Sequence, residues 1–579
     1  MNTQLYEDGA PAVSGFERDL VEAVSADEPW ALVERFAELT RVSGTEDERL
    51  AADYLRERLD ELGVPNTTHS PDLYLSTPEG ASIRSADGWV SETVKTVSFS
   101  SSATVTGDLV YVQNDDEMES IEAMLSVDLT GTDESLAGKV VLAESIIPIS
   151  AVEELTERGA AAFVGIHPHE REPHEGIVTP VWGGAPPLDE ADRVPDLPVA
   201  NVSRTEGREL VAMAEAGTSV TVTTETTTGW ETCPLVVAEV EAGAADADDE
   251  AFVLLHGHVD SWHEGVTDNA TGDAGLLECA RVLHAHREHL RRDVRIAWWP
   301  GHSTGRYAGS TWYADEFAHD LAEHCVAHVN MDSPGVTDAT EFDVRAKCTT
   351  ALAPLAERTV RDVAGKPTRE ARVSRAGDYS FSNLGVPGLS PQSSIPDAVR
   401  EARGYHPVGG SGGHADAWHL TTDTLEKADP DVLVRDVRVF AVAVARLAAA
   451  ERLPLDAAHQ LRRHRETVAG YDDASAFDLS PVLDELEDLT AAVDAMGEGP
   501  GTNDRLADLV GRLTRLNYTS EGRFEQDPAE ARPPYPTLEP AARLDEFAGD
   551  DRRFLDLQLR RARTDAVARL RAAREALTD

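Results

Sequence analysis

Positive charge is what this chain has least of. Its 579 residues carry 52 basic side chains against 105 acidic ones, a net charge of −53. The only lysines are Lys95, Lys139, Lys347, Lys366 and Lys427. Without a basic face there is nothing to neutralise phosphates, so nucleic acid is excluded as the expected partner. A surface this acidic repels itself at low salt and becomes compact when the Debye length shrinks to about 3 Å in molar salt. The composition therefore predicts a halophilic protein of a salt-filled cytoplasm. A disordered acidic chain, the other reading, is excluded by the 41 % of hydrophobic residues, which are spread through periodic segments.

Cysteine is also scarce. Cys233, Cys279, Cys325 and Cys348 are far apart and form no Cys-x-x-Cys pair, which predicts reduced core thiols instead of disulfides or a thiolate zinc site. No run approaches the ~20 apolar residues that span a bilayer. The start, Met1-Asn-Thr-Gln-Leu-Tyr-Glu-Asp, has neither a basic end nor an apolar centre, so a soluble protein without a membrane partner is expected.

The periodic segments that are present divide the chain. Residues 16 to 63 read as helices: Thr45 and Glu48 have the spacing of a capping box, Leu50, Tyr54, Leu55, Leu59 and Leu62 share a face, and Gly63 is a left-handed stop. From about residue 90 short β-rich runs, Val105 to Val112 and Lys139 to Ala143, precede a helical Val152 to Arg158 and a strand Ala161 to Ile166. The Pro-rich stretch from His167 to Pro198 is expected as surface loops of this small insert. Near residue 235 a long α/β pattern begins, with apolar strands Phe252 to Leu255, Val294 to Trp299 and Cys325 to Met331 and a helix Gly272 to His289. Such alternation predicts a mostly parallel sheet covered on both faces by helices. Beyond about residue 455 only helices are expected, the last being the Arg-rich Phe554 to Leu577. That appendage could serve as a partner surface or as a cover for the sheet.

Ligands of open α/β sheets bind beyond the carboxyl ends of the strands, and metal-ligating residue types gather there. The first strand delivers His256-Gly-His258-Val-Asp260, in which Asp260 could fix the tautomer of a metal-binding His258. Asp268 lies in a loop leading into a helix, where a carboxylate either bridges two cations or merely caps the helix. The third strand ends at Asp332, and His419 stands four residues before Asp423. Two His with two Asp favour zinc over magnesium.

The strings His258-Val-Asp260-Ser261-Trp262, Gly265-x-x-Asp268-x-x-x-Gly272, Asn330-Met-Asp332-Ser333 and His419-x-x-x-Asp423-Thr424 together resemble the co-catalytic zinc aminopeptidase family that includes glutamate carboxypeptidase and the transferrin receptor. Ser43-Gly44-Thr45-Glu46 looks like the family's entry to its first helix. Leu136-Ala-Gly138-Lys139 with Glu157-Arg-Gly159-Ala160 looks like its protease-associated insert, and the C-terminal helices resemble its dimerisation domain. The resemblance implies a catalytic domain from residues 15–88 and 235–452, a β-rich insert at 89–234 and a helical domain at 453–579, through which a homodimer would form. It makes Asp268 the bridge between one or two zinc ions, puts His258 and Asp332 on one and His419 on the other, and gives Asp260 the orientation of His258. It further implies hydrolysis of a peptide or amide bond by a metal-activated water.

One departure stands out. Where the family carries adjacent glutamates, a base and a ligand of the second zinc, this chain reads Pro300-Gly301-His302-Ser303. His302 could act as base, since an unperturbed imidazole titrates near ~6.5; it could bind the second metal; or the site could hold one metal and be inert. Serine is a poor neutral ligand for zinc, and Ser303 is not assigned to the metal. The alternatives in function are a catalytically altered scaffold and an amidohydrolase on a non-peptide substrate. Gly377-Asp378-Tyr379-Ser380 resembles the family's substrate loop, which makes Asp378 and Tyr379 substrate-binding candidates. His256, His263, His406 and His414 could be loop residues or support the ligands, and Arg306 or Arg375 could hold a substrate carboxylate or pair with surface acids.

Overall fold

The fold was analysed in a computed structural model, which describes the chain except for residues 1–11, 14, 114–126, 130, 131, 133, 134, 169, 249, 343–345, 374, 404–416, 498–500, 578 and 579. His406 and His414 lie outside the described residues.

The α/β pattern folds into an eight-stranded sheet in the order Asn66–His69, Leu235–Val240, Asp293–Trp299, Phe252–His258, Cys325–Asn330, Gly388–Pro391, Ala346–Cys348, Glu370–Arg372. Its centre is parallel and antiparallel pairs flank it, as expected of a parallel-centred sheet. We label the three central strands β1 (Phe252–His258), β2 (Asp293–Trp299) and β3 (Cys325–Asn330). Every side chain of β1 and β3 is buried, which explains why these strands read as continuous apolar runs. Alternation still sorts them by face. Val253, Leu255, Ile296 and Trp298 pack beneath helices α1 (Thr271–Ala285) and α2 (Pro430–Ala449). Phe252, Leu254, Ala297 and Trp299 pack on the other face with Tyr313, Leu321 and Phe381. No described helix is long and apolar enough to cross a membrane, and all four cysteines are buried free thiols.

At the entry helix, Glu46–Leu62, the Thr45 hydroxyl accepts from the Glu48 amide, while the Glu48 carboxylate accepts from the Gly44 amide at 2.9 Å. The carboxylate thus caps one residue earlier than the ideal box.

The insert forms a second sheet, in the order Asp72–Ser85, Ser219–Thr232, Ala103–Val112, Val140–Ala143, Ala162–Ile166, Val199–Val202, Lys95–Thr96. Asp72–Ser85, placed by sequence on the catalytic side of residue 88, pairs along its length with Ser219–Thr232 and belongs to this sheet. Pro78 and Gly80 flank a register shift there, and both residue types weaken a strand signal. A second correction concerns the stretch expected as surface loops from His167 to Pro198. Residues 173–184 are buried: the Ile177 segment bridges to Ser98, the Gly183 amide donates to the Arg306 carbonyl at 2.7 Å, and Trp182 lies against Tyr307. The stretch is wedged between the two sheets.

The C-terminal region is helical, with Ala457–Ala474, Ser480–Asp494, Thr502–Tyr518 and Gly549–Ala576 packed together through Leu486, Leu509, Leu513, Leu559 and Leu570.

Candidate active site

Strand register brings the candidate residues together. His258 pairs with Trp299 across β1 and β2, and His256 pairs with Asn330 across β1 and β3. The residues just beyond Trp299 and Asn330, namely His302, Ser303 and Asp332, therefore flank His258. Gly257 permits the close approach, for a Cβ there would stand 2.4 Å from the Met331 carbonyl oxygen. Asn269 ties the strand ends: its amide donates to the carbonyls of His258 at 3.1 Å and Met331 at 3.2 Å, and its oxygen accepts from the Ser333 amide at 2.9 Å. Buried Arg41 donates to the carbonyls of Val259, Glu264 and Gly265 and fixes the loop between.

Asp268 stands at the centre. Its Oδ1 lies 3.1 Å from His258 Nε2 and its Oδ2 lies 3.0 Å from His419 Nε2, while Asp332 Oδ1 lies 3.8 Å from His258 Nε2. Ligand atoms of His258, Asp268 and Asp332 fall within 4.8 Å of one another. The second nitrogen of each ring fixes its orientation. His258 Nδ1 faces the Asp260 carbonyl oxygen at 2.9 Å and His419 Nδ1 faces that of Glu175 at 3.2 Å, so each Nδ1–H donates to a carbonyl and each Nε2 is turned to a carboxylate. A carboxylate oxygen and an imidazole nitrogen this close share a positive charge, a proton or in its place a metal ion. Burial opposes charge on His258, yet Asp260, Asp268 and Asp332 outweigh it and push the imidazole well above its ordinary value. Burial likewise works against ionised Asp268, and the two imidazoles override it to hold the carboxyl well below the usual range. His258, Asp268 and Asp332 form a donor set that fits one cation, and Asp268 turns its other oxygen to His419.

Asp260 orients His258 with its backbone carbonyl; its side-chain oxygen is 3.6 Å from Nδ1. Its carboxylate instead accepts from the amides of His302 at 3.2 Å and Ser303 at 2.8 Å, anchoring the departing loop. Asp423 does the same for the bridge, accepting from the amides of Thr267 and Asp268 at 3.1 Å. Burial, reinforced by the Asp268 charge, pushes Asp423 up to about 7.

His302 stacks on His258 with ring centroids 3.8 Å apart and 14° between planes. Its Nδ1–H donates to Asp378 Oδ2 at 2.8 Å, and Asp378 Oδ1 accepts from the Ser310 hydroxyl at 2.8 Å. Both Asp378 oxygens are thus engaged within the protein, one with His302 and one with Ser310. Tyr379 lines the cleft, as do Arg306, Lys347, Gln392 and an apolar wall of Ile146, Ile147, Ile177 and Trp418. The cleft has a volume of about 90 Å³. Arg306 is buried and Arg375 half-buried: Arg306 donates to the Ala529 carbonyl, Arg375 to those of Asp527 and Pro528, and neither has an acidic partner within salt-bridge distance among the described residues. His256 is engaged with His328 at 2.9 Å and His263 with Glu175 at 3.0 Å, both away from the bridge. Five non-glycine residues around the cleft, His263, Arg306, Tyr307, Ser333 and His419, have positive φ, a strain that costs about 1 kcal/mol or more apiece.

Residues 236–444 match peptidase family M28. That segment holds His258, Asp268, Asp332 and His419. The mouse aminopeptidase NAALADL1 is 35 % identical over 102 residues, which cover 17 % of this chain and 13 % of that one. A probable leucine aminopeptidase 2 of Aspergillus oryzae is 24 % identical over 318 residues, 54 % of this chain and 58 % of that one. The chain thus spans about an eighth to just over half of these relatives' lengths. Among solved structures, an aminopeptidase from Aneurinibacillus superposes with a TM-score of 0.56 at 18 % identity, covering 76 % of this chain and 97 % of that one. A zinc aminopeptidase from Bacillus subtilis gives 0.54 at 16 % identity, covering 75 % and 98 %. The fold of these two aminopeptidases is shared.

Proposed function

We propose that the chain is a zinc-dependent hydrolase that cleaves a peptide or amide bond beside an apolar residue. The observation that carries this reading is Asp268, whose two oxygens each face an imidazole Nε2. His258, Asp332 and Asp268 would hold one ion, and His419 with the other Asp268 oxygen a second. When bound, such ions supply Lewis acidity and a water acidic enough to attack near neutral pH.

The rest of the chemistry belongs to the chain. With its Nδ1–H committed to Asp378, His302 is left with Nε2, the atom we assign to accept the proton of the attacking water and to return it to the leaving amine. The imidazolium so formed faces the Asp378 carboxylate. Parallel stacking on His258 keeps the two lone pairs in separate planes, which argues against His302 as a ligand of the ion that His258 would hold. Ile146, Ile147, Ile177 and Trp418 would receive an apolar side chain, in keeping with the leucine aminopeptidase among the relatives. Arg306, with no acidic partner at salt-bridge distance among the described residues, would meet a carboxylate.

The acidic composition supports a halophilic, cytoplasmic setting. Phe554 and Leu557, one turn apart on the last helix and 69 % and 47 % exposed, support a homodimer through the helical domain, which light scattering in high salt would check. The catalytic reading is tested by hydrolysis of aminoacyl arylamides by the zinc-loaded protein: turnover of leucyl arylamide is expected, and its complete absence with zinc bound would favour the scaffold or the non-peptide amidohydrolase.

A further inference from the structure

We propose that His174, delivered by the insert, is the ligand that completes the second cation position in place of the acid absent at Ser303. The inference rests on the metal-dependent reading above. On the His258 side three side chains converge; on the His419 side the described residues offer only His419 Nε2 and Asp268 Oδ2. A catalytic zinc normally has three protein ligands and one open position, so one donor is missing among the described residues. Ser303 brings a neutral hydroxyl on a backbone held by Asp260.

His174 has what the position lacks. It is 2 % exposed, and its ring centroid lies 4.6 Å from that of His419 and 4.4 Å from Trp418. Its Nδ1–H donates to the Glu175 carbonyl oxygen, the same oxygen that accepts from His419 Nδ1 at 3.2 Å. A carbonyl oxygen has two lone pairs and takes both. One backbone atom thus sets two imidazoles in the same tautomer, each with a bare Nε2. That of His419 points at the bridge; that of His174 has no hydrogen-bond partner although buried, in a residue that lines the cleft with Asp268 and His419. A buried acceptor left unmatched is costly, and a cation would satisfy it.

The rigging behind the ring is also built. The Glu175 carboxylate accepts from Lys95 at 2.8 Å and faces His263 Nε2 at 3.0 Å, which pins the carbonyl that orients both rings. Only His258, Asp268 and Asp332 already converge within 4.8 Å among the described residues, so binding at the second position draws His174 toward His419. Zinc would then clamp the 173–184 segment of the insert onto the catalytic sheet.

The test counts zinc in the full chain, in high salt, by atomic absorption and chelator competition. Wild type is expected to hold two ions, and His174→Ala to keep one tightly while the second binds at least about 10-fold more weakly. Two ions of unchanged affinity in His174→Ala, or a single ion in wild type, would overturn the proposal and leave hydrolysis at the His258 position standing; no zinc in wild type would overturn both. The wild type gives an independent readout should the variant fail to fold. Zinc must slow amide hydrogen exchange at residues 174–178, and exchange that ignores zinc there would refute the clamp.

Discussion

Replacing Asn269 should loosen the site from beneath. The side chain is fully buried and makes three hydrogen bonds, to the carbonyls of His258 and Met331 and from the amide of Ser333. Asn269→Ala leaves three buried backbone groups without partners, and at about 1 kcal/mol net for each the loss is about 3 kcal/mol. Asn269→Asp sets an oxygen against two carbonyls where a donor stood, so at neutral pH it should cost at least as much and recover part of the loss in acid, where a protonated carboxyl can donate. Gly272→Ala supplies an internal check, because its Cβ would stand 2.1 Å from Asn269 Oδ1 and must displace that side chain. The two lesions break the same contacts, and in a double-mutant cycle their costs should not add. Urea unfolding in constant high salt measures the stabilities, and zinc titration should show weaker binding because the tied strand ends carry His258 and Asp332. Asn269→Ala within about 0.5 kcal/mol of wild type, or strict additivity with Gly272→Ala, would refute the role of Asn269 in tying the strand ends.

Other outcomes follow from the same contacts. Burial pushes Glu48 up to about 8, a raised carboxyl whose contribution is full below its unfolded value near 4.5 and lost as pH rises through 8. Between pH 6 and 9 this costs the wild type about 3 kcal/mol at ~1.4 kcal/mol per unit. Glu48→Gln should flatten that slope in pH-dependent unfolding, and an unchanged slope would contradict it. His302→Ala should lower arylamide turnover by about 100-fold or more, whereas Asp378→Asn should lower kcat with KM little changed; wild-type kcat in both would remove the pair from the mechanism. Arg41→Met strips donors from buried carbonyls of the 259–265 loop and should cost about 3–5 kcal/mol in the same unfolding assay. With a net charge of −53, the thermal midpoint should rise as KCl goes from about 0.1 M to about 3 M; a fall would contradict the halophilic reading.

Much of the site was legible because apolar strands stop at chemistry. His258, Asp332 and the His302 loop are each a short step past a run of buried residues, and parallel register brings such steps to one edge. His419 has no strand to mark it, and Asp423 four residues on, together with the resemblance to a motif, singled it out. The supporting contacts were hidden for a different reason: Asp378 reaches His302 across 76 residues, and Arg41 reaches Val259 across 218, distances over which sequence periodicity carries no signal. Asn269 sits beside a ligand candidate yet has no pattern of its own. His174 was concealed by composition, since a proline-rich stretch reads as exposed loop, whereas here it fills the space between two sheets. Asp72–Ser85 read as catalytic-domain chain because Pro78 and Gly80 interrupt the alternation of a strand that the insert's sheet then completes.

The most direct test of the account pairs metal content with turnover in Asp268→Asn. In molar KCl the wild type should bind zinc and hydrolyse leucyl arylamide, and lose activity to a chelator and regain it with zinc. Asp268→Asn, which keeps the shape and removes the bridging charge, should lose bound zinc and activity together. Turnover that survives both the chelator and the substitution, or a wild type that binds no metal, would contradict the account.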